Sequence, residues 1–196
     1  DRRIKASREE IIKSLQGHYK IEHLFELKQC YQLYCTHRTT IGECETELEH
    51  QLIQQIASKN EGVISDIPDV KRKASGKHKL PFNATAYLKE ILGVDVTEVF
   101  GISELSTLTI LSEVGTDMSK WKNEHHFTSW LGLAPNTKIS GGKIISSRIM
   151  KKKHHAGQAF RMAANGLHNS KSPIGDYYRR IKGKAGAGKA VVATAR

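Results

Sequence analysis

VFGISELSTLTILSEVG, residues 99–115, decides how the second half of this chain is built. An apolar turn carrying Gly101 runs into Ser103, whose hydroxyl can accept from the free N–H groups of a starting helix. Leu105, Leu108 and Leu111 then repeat at helical spacing, and Gly115 is a natural stop. The spacing predicts a capped helix leaving a tight turn, with its first N–H groups pointing outward, where a phosphate can be held.

Downstream the same grammar recurs. Asn123 can cap a helix carrying Phe127, Trp130 and Leu131 before Gly132 and Pro135. Ala156, Phe160, Ala163 and Leu167 fall on one helical face. Ser172-Pro173 is a cap followed by a first-turn proline, opening a helix with Ile174, Tyr177, Tyr178 and Ile181. Strand signals are few: TKIS and KIIS flank Gly141-Gly142 and predict one hairpin. The turn at Gly101 also looks like the second half of a helix-hairpin-helix, a module that grips DNA backbone, with Ser103 where a second glycine is usual.

Upstream, no proline occurs before Pro68. Leu24, Leu27, Tyr31, Tyr34, Ile41, Leu48 and Leu52 form a heptad-like stripe interrupted by Arg38 and Glu45. It predicts a long helix, either a coiled coil for dimerisation or spacing, or a helix packed on its own chain as a hairpin with residues 7–16. Residues 60–83, NEGVISDIPDVKRKASGKHKLPFN, lack periodicity and read as a basic linker. The expected organisation is a long helix over 1–58, a linker over 59–84 and a small helical domain over 85–196. The fold class is mainly α, with a helix-hairpin-helix-like element and a short β-hairpin.

Composition excludes several classes. Hydrophobic residues at 38% and charged residues at 26% are those of a globular protein rather than a disordered one. No apolar run approaches a membrane span. Three cysteines, an odd number, argue against a disulfide framework and for a reducing compartment, the cytoplasm. The chain opens DRRIKASREE, without initiator Met or signal peptide, and is expected to be part of a longer protein.

Charge is placed unevenly. From Lys120 to Arg196 sixteen Lys and Arg stand against Glu124 and Asp176, a net of +14, whereas the chain as a whole carries +11. A basic half joined to a slightly acidic one predicts a polyanion surface, with nucleic acid as partner and no membrane. Two patterns mislead. GKAGAGK, residues 183–189, has P-loop spacing, but Ala190 replaces the hydroxyl that would hold Mg²⁺ and no strand precedes it. Gly183 reads instead as a helix stop and Gly188 as loop. Cys30, Cys35, His37 and Cys44 lack zinc spacing, and no metal site is expected.

KISGGKI, residues 138–144, has two readings. One is a plain hairpin turn. The other sets Ser140 as a nucleophile on a phosphate-binding turn, with Lys138 and Lys143 offsetting charge on a pentavalent phosphorus. The basic half holds too few acids for a two-metal site, so any activating carboxylates come from elsewhere.

ISELSTLTILSEVGTDMSKWKNEHHFTSWLGLAPNTKISGGKIISS and GLHNSKSPIGDYYRRIKGKAGAGKAVVATAR together resemble the C-terminal domain of bridge-RNA-guided insertion-sequence transposases. The family is that of insertion sequence 110, with acidic DEDD catalytic residues, and the subgroup is the insertion-sequence-1111-like one. The resemblance covers roughly residues 85–196, and residues 1–58 fit the coiled coil that precedes that domain. It implies a DNA recombinase of the bacterial cytoplasm and nucleoid, acting as a homo-oligomer, dimer or tetramer. A RuvC-like domain with four acidic residues would bind Mg²⁺, a structured guide RNA would choose strands, and no cofactor would sit in this chain. Carried over, the nucleophile is Ser140, ahead of Ser146 and Ser147. The expected nucleic-acid contacts are Gly101 and Ser103 at the helical turn, and Lys138, Gly141, Gly142 and Lys143 at the hairpin. Arg148, Lys151, Lys152, Lys153, His154 and Arg161 complete them. His154-His155 replaces an Asn-Arg step frequent in relatives. The competing expectation is a non-catalytic DNA- or RNA-binding module.

Overall fold

Side-chain caps set where four of the helices begin. In the computed structural model, which describes residues 5–17, 19–59, 80–150 and 152–196, Ser7 and Glu10 form a reciprocal capping box that opens α1 (Arg8–Ser14). Helix α2 (Ile21–Lys59) is continuous. Helix α3 (Ala84–Leu92) ends at Gly93 in the left-handed region. Ser103 accepts from Ser106 N–H to open α4 (Glu104–Val114), and Asn123 accepts from His126 N–H to open α5 (Glu124–Trp130). Strands β1 (Lys138–Ser140) and β2 (Lys143–Ser146) follow, then α6 (His155–Gly166). Ser172 accepts from Gly175 N–H to open α7 (Pro173–Ala185), and α8 (Ala187–Ala195) closes the chain. The mainly helical class, the long helix and the two-strand hairpin agree with the sequence reading.

The chain divides into two units, Asp1–Leu48 and Glu49–Arg196. In the first, the apolar stripe is uncovered: Leu24, Leu27, Tyr31, Tyr34 and Ile41 are all exposed. Helix α1 buries no residue, so the antiparallel hairpin with residues 7–16 does not form. Cys30, Cys35 and Cys44 are free and exposed.

In the second unit the last turns of α2 change role. Leu52 and Ile56 are buried, as are Leu80, Phe82, Ala84, Leu88 and Ile91. Tyr87 donates to Glu49 Oε1 at 2.8 Å, and Lys59 Nζ donates to the carbonyls of Glu90 and Ile91, closing the C-terminal end of α3. These contacts lie within the second unit, which begins at Glu49. Leu80 and Phe82, read as linker, are core; residues 60–79 of that linker lie outside the described residues.

Around Val114, Leu131, Leu133 and Ala156 pack Ile110, Trp121, Phe127, Trp130, Phe160 and Ala195. The Trp121 ring meets Phe127 and Trp130 at 5.0 and 5.2 Å between centroids. Helix α4 faces this core differently from expectation. Glu104, Thr107, Leu111 and Val114 are buried, while Leu105 is exposed, because α3 and α6 lie along the 104–107–111–114 row. The Glu104 carboxylate accepts from Thr85 Oγ1 at 2.8 Å, which satisfies a polar group on that row.

The end of the chain also differs. Helix α7 runs through Gly183, the break falls at Gly186, and Gly188 lies inside α8. Burial of Ala190, with α8 packed against α6 and α7, outweighs the weak helix preference of glycine. On α7 the inward residues are Gly175 and Tyr178, whereas Ile174 and Tyr177 are exposed. The P-loop spacing therefore spans two helices, without the preceding strand a phosphate loop requires.

Candidate nucleic-acid interface

The β1–β2 hairpin is built by its turn. Gly141 and Gly142 have φ of +56° and +75°, the left-handed pair a two-residue hairpin loop demands, and open space surrounds both. Ser140 is directly paired with Lys143, which places their Cβ atoms about 5 Å apart on one face. Ile139 and Ile144 pair on the other. A bulge between Lys138 and Ile139 leaves Ile145 as the extra residue before the Lys138–Ser146 pair. The base continues through a Pro135–Ile149 bridge and a hydrogen bond from Asn136 N–H to Arg148 O at 3.0 Å, tying the hairpin to the buried Leu131–Leu133 segment.

Ser140 is exposed, and its hydroxyl meets no hydrogen-bond partner among the described residues. Ser146 is half-buried and accepts from Arg148 N–H at 3.4 Å; Ser147 is exposed. Ser140 and Ser146 each face a cross-strand lysine, Lys143 and Lys138, and Ser140 is the one that does so at the glycine turn.

The basic side chains fall into two groups. Lys138, Lys143, Arg148 and Lys153 are exposed. Lys152 Nζ instead donates to Ser129 O at 3.0 Å, and Arg161 donates to Gly132 O at 2.9 Å, so both close the C-terminal end of α5. Lys151 lies outside the described residues. The helical turn has a structural demand of its own: a Cβ on Gly101, at φ +87°, would stand 2.7 Å from Ala163 O on α6. Close packing accounts for that glycine, and helix capping accounts for Ser103.

His154 sits in a cradle that sequence reasoning missed. Its Nδ1 lies 2.9 Å from Glu113 Oε1, its ring lies 4.2 Å from the Trp130 ring, and Glu113 Oε2 accepts from Ala156 N–H at 2.6 Å. Burial pushes the Glu113 carboxyl up, but the hydrogen bonds from Ala156 and His154 and the charges of His154 and His155 hold it below its usual range. Glu113 was visible only as a letter in SEVG; its partners are some forty positions away, and no local spacing announces them.

Among the described residues no three His, Cys, Asp or Glu side chains gather as metal ligands. No helix among them is long and apolar enough to cross a membrane.

Chemically, the hairpin offers an accessible hydroxyl, adjacent cations and an open backbone turn, on a segment that contains no acid from Asn136 to His155. Comparison with known proteins adds one finding. Residues 95–179 match the model of the family described as Transposase IS116/IS110/IS902. The match runs from the turn before α4 into α7 and encloses the hairpin; it supports a transposase domain in this segment and DNA as its partner. No curated protein and no solved structure matches the chain.

Proposed function

We propose that this chain carries the nucleophile of a DNA strand-transfer enzyme, with Ser140 attacking a phosphodiester. The observation that carries the reading is an exposed serine, paired across a two-glycine turn with Lys143, inside the segment matching the transposase family. Ser140 Oγ bonds to phosphorus, the bond from phosphorus to the leaving deoxyribose oxygen breaks, and that oxygen takes up a proton. The serine proton passes to a base outside the described residues. Attack by a hydroxyl of a second strand then releases the serine, and the phosphoserine link conserves the bond energy for rejoining. Lys143 and Lys138 offset charge on the pentavalent phosphorus.

The sequence resemblance supplies the wider setting of this proposal. A RuvC-like acidic domain outside these residues, supplying Mg²⁺, completes the site; a structured guide RNA selects the strands; and α2 pairs with another copy through its uncovered stripe. The setting is the bacterial cytoplasm. A second reading, a binding module without chemistry, is favoured by one observation: Ser140 has no activating base among the described residues.

Replacing serine separates the two. Ser140→Ala in the protein that contains this segment lowers strand exchange by at least ~10³-fold, as loss of a nucleophile does, with DNA affinity little changed. Recombination at the original rate would refute the assignment of Ser140 and leave the binding module.

A further inference from the structure

The hairpin carries apolar surface that its own fold does not use. Ile139, Ile144 and Ile145 are 64%, 66% and 69% exposed, and β1 and β2 bury none of their residues. Ile139 and Ile144 are opposite one another on the face away from Ser140 and Lys143, so they form one apolar blade. Singly exposed isoleucines are ordinary, but a paired set on a projecting ribbon marks a contact surface.

Charge identifies what covers it. From Thr137 to His155 the chain has six Lys and Arg and no Asp or Glu. Lys138 and Lys143 stand on the opposite face of the same two strands, and Arg148 follows at the base. A partner must therefore offer an apolar slot for the blade, with negative charge within reach of the long basic side chains behind it. Duplex DNA has that construction: stacked base planes inside, phosphates along both rims. Isoleucine is among the side chains that wedge between base steps, and a two-stranded ribbon is narrow enough to enter a groove.

We propose that the β1–β2 hairpin drives Ile139 and Ile144 between base steps of duplex DNA and kinks the helix there. The inference rests on the reading above that DNA is the partner, and adds how it is held. Unstacking one step separates the flanking phosphates and loosens the backbone next to the blade. Recognition of this kind favours easily unstacked pyrimidine–purine steps over stiff ones, without hydrogen bonds to base edges.

The test uses the 196-residue chain, a short duplex labelled at both ends for energy transfer, and 2-aminopurine at a central pyrimidine–purine step. The variant is Ile139→Thr/Ile144→Thr: threonine keeps strand preference, and neither position belongs to the core, so the helical domain retains its thermal unfolding. The original chain is expected to shorten the end-to-end distance and raise 2-aminopurine emission on binding. The variant is expected to lose both signals while affinity falls by ~10-fold or less, its phosphate contacts being intact. Binding with no change in either signal overturns the wedge alone. Equal bending by the variant overturns it too, as does the response appearing with duplex RNA and not DNA. A change in the variant's mass by light scattering, with bending retained, would assign the blade to a protein contact instead. Absence of DNA binding by the original chain at low salt would overturn the DNA reading itself, and the wedge with it.

Discussion

Glu113 shows what a single side chain can do that its sequence neighbourhood does not announce. It reaches from α4 to satisfy Ala156 N–H at the start of α6 and to hold His154 against Trp130. Its carboxyl is held below the usual range, so the unfolded chain binds the proton more tightly than the folded one. The stabilisation is therefore complete above the ordinary carboxylate range and drains away as pH falls through the depressed folded value. Glu113→Gln is expected to cost about 1.5–3 kcal/mol at neutral pH, the scale of hydrogen bonds to a charged group, and to flatten the acid limb of stability. Urea unfolding of both proteins from neutral to acid pH checks this; parallel acid limbs would show that Glu113 is not the titrating group. Caps, by contrast, were legible residue by residue. Ser103, Asn123 and Ser172 each bond an N–H three positions ahead, a relation that never leaves the local sequence. Lys152 and Arg161 each donate to a backbone carbonyl set by the tertiary fold, partners that their letters do not announce.

At the scale of elements, what the sequence spelled out is what local rules decide. The hairpin follows from two glycines between alternating strands, and the long helix from a proline-free, heptad-like stripe. The end of α7 did not follow, since Gly183 and Gly186 are equivalent as letters and only the burial of Ala190 separates them. The inward row of α4 was similarly out of reach, because a buried Glu104 and Thr107 look polar until Thr85 is found beside them. Helix α2 carries the sharpest consequence. Tyr31 and Ile41 remain 65% and 57% exposed along one stripe, which no described residue of its unit covers. If the stripe is the seam of a pairing between copies, Ile41→Asp removes an apolar side chain from both partners. It should weaken self-association at least about 100-fold, from roughly 1.5–3 kcal/mol for each. Light scattering across a dilution series reads this directly, and an unchanged mass would assign the stripe another role.

Over the whole molecule, charge divides along the chain: residues 120–196 carry a net +14, and the transposase match overlaps that stretch as far as Arg179. Such a surface binds any polyanion with strong salt dependence, so affinity alone does not distinguish chemistry from adhesion. Ser140 does, because its hydroxyl is unbonded among the described residues, its neighbours are cations, and its turn is open. The direct measurement is to incubate the protein containing this segment with its DNA junction, quench in denaturant, digest with protease and nuclease, and map phosphate by mass spectrometry. The account predicts a nucleotide remnant on the peptide bearing Ser140, absent from Ser140→Ala. A remnant on Ser146, Ser147 or any other residue, or strand exchange with no covalent remnant at all, would contradict it.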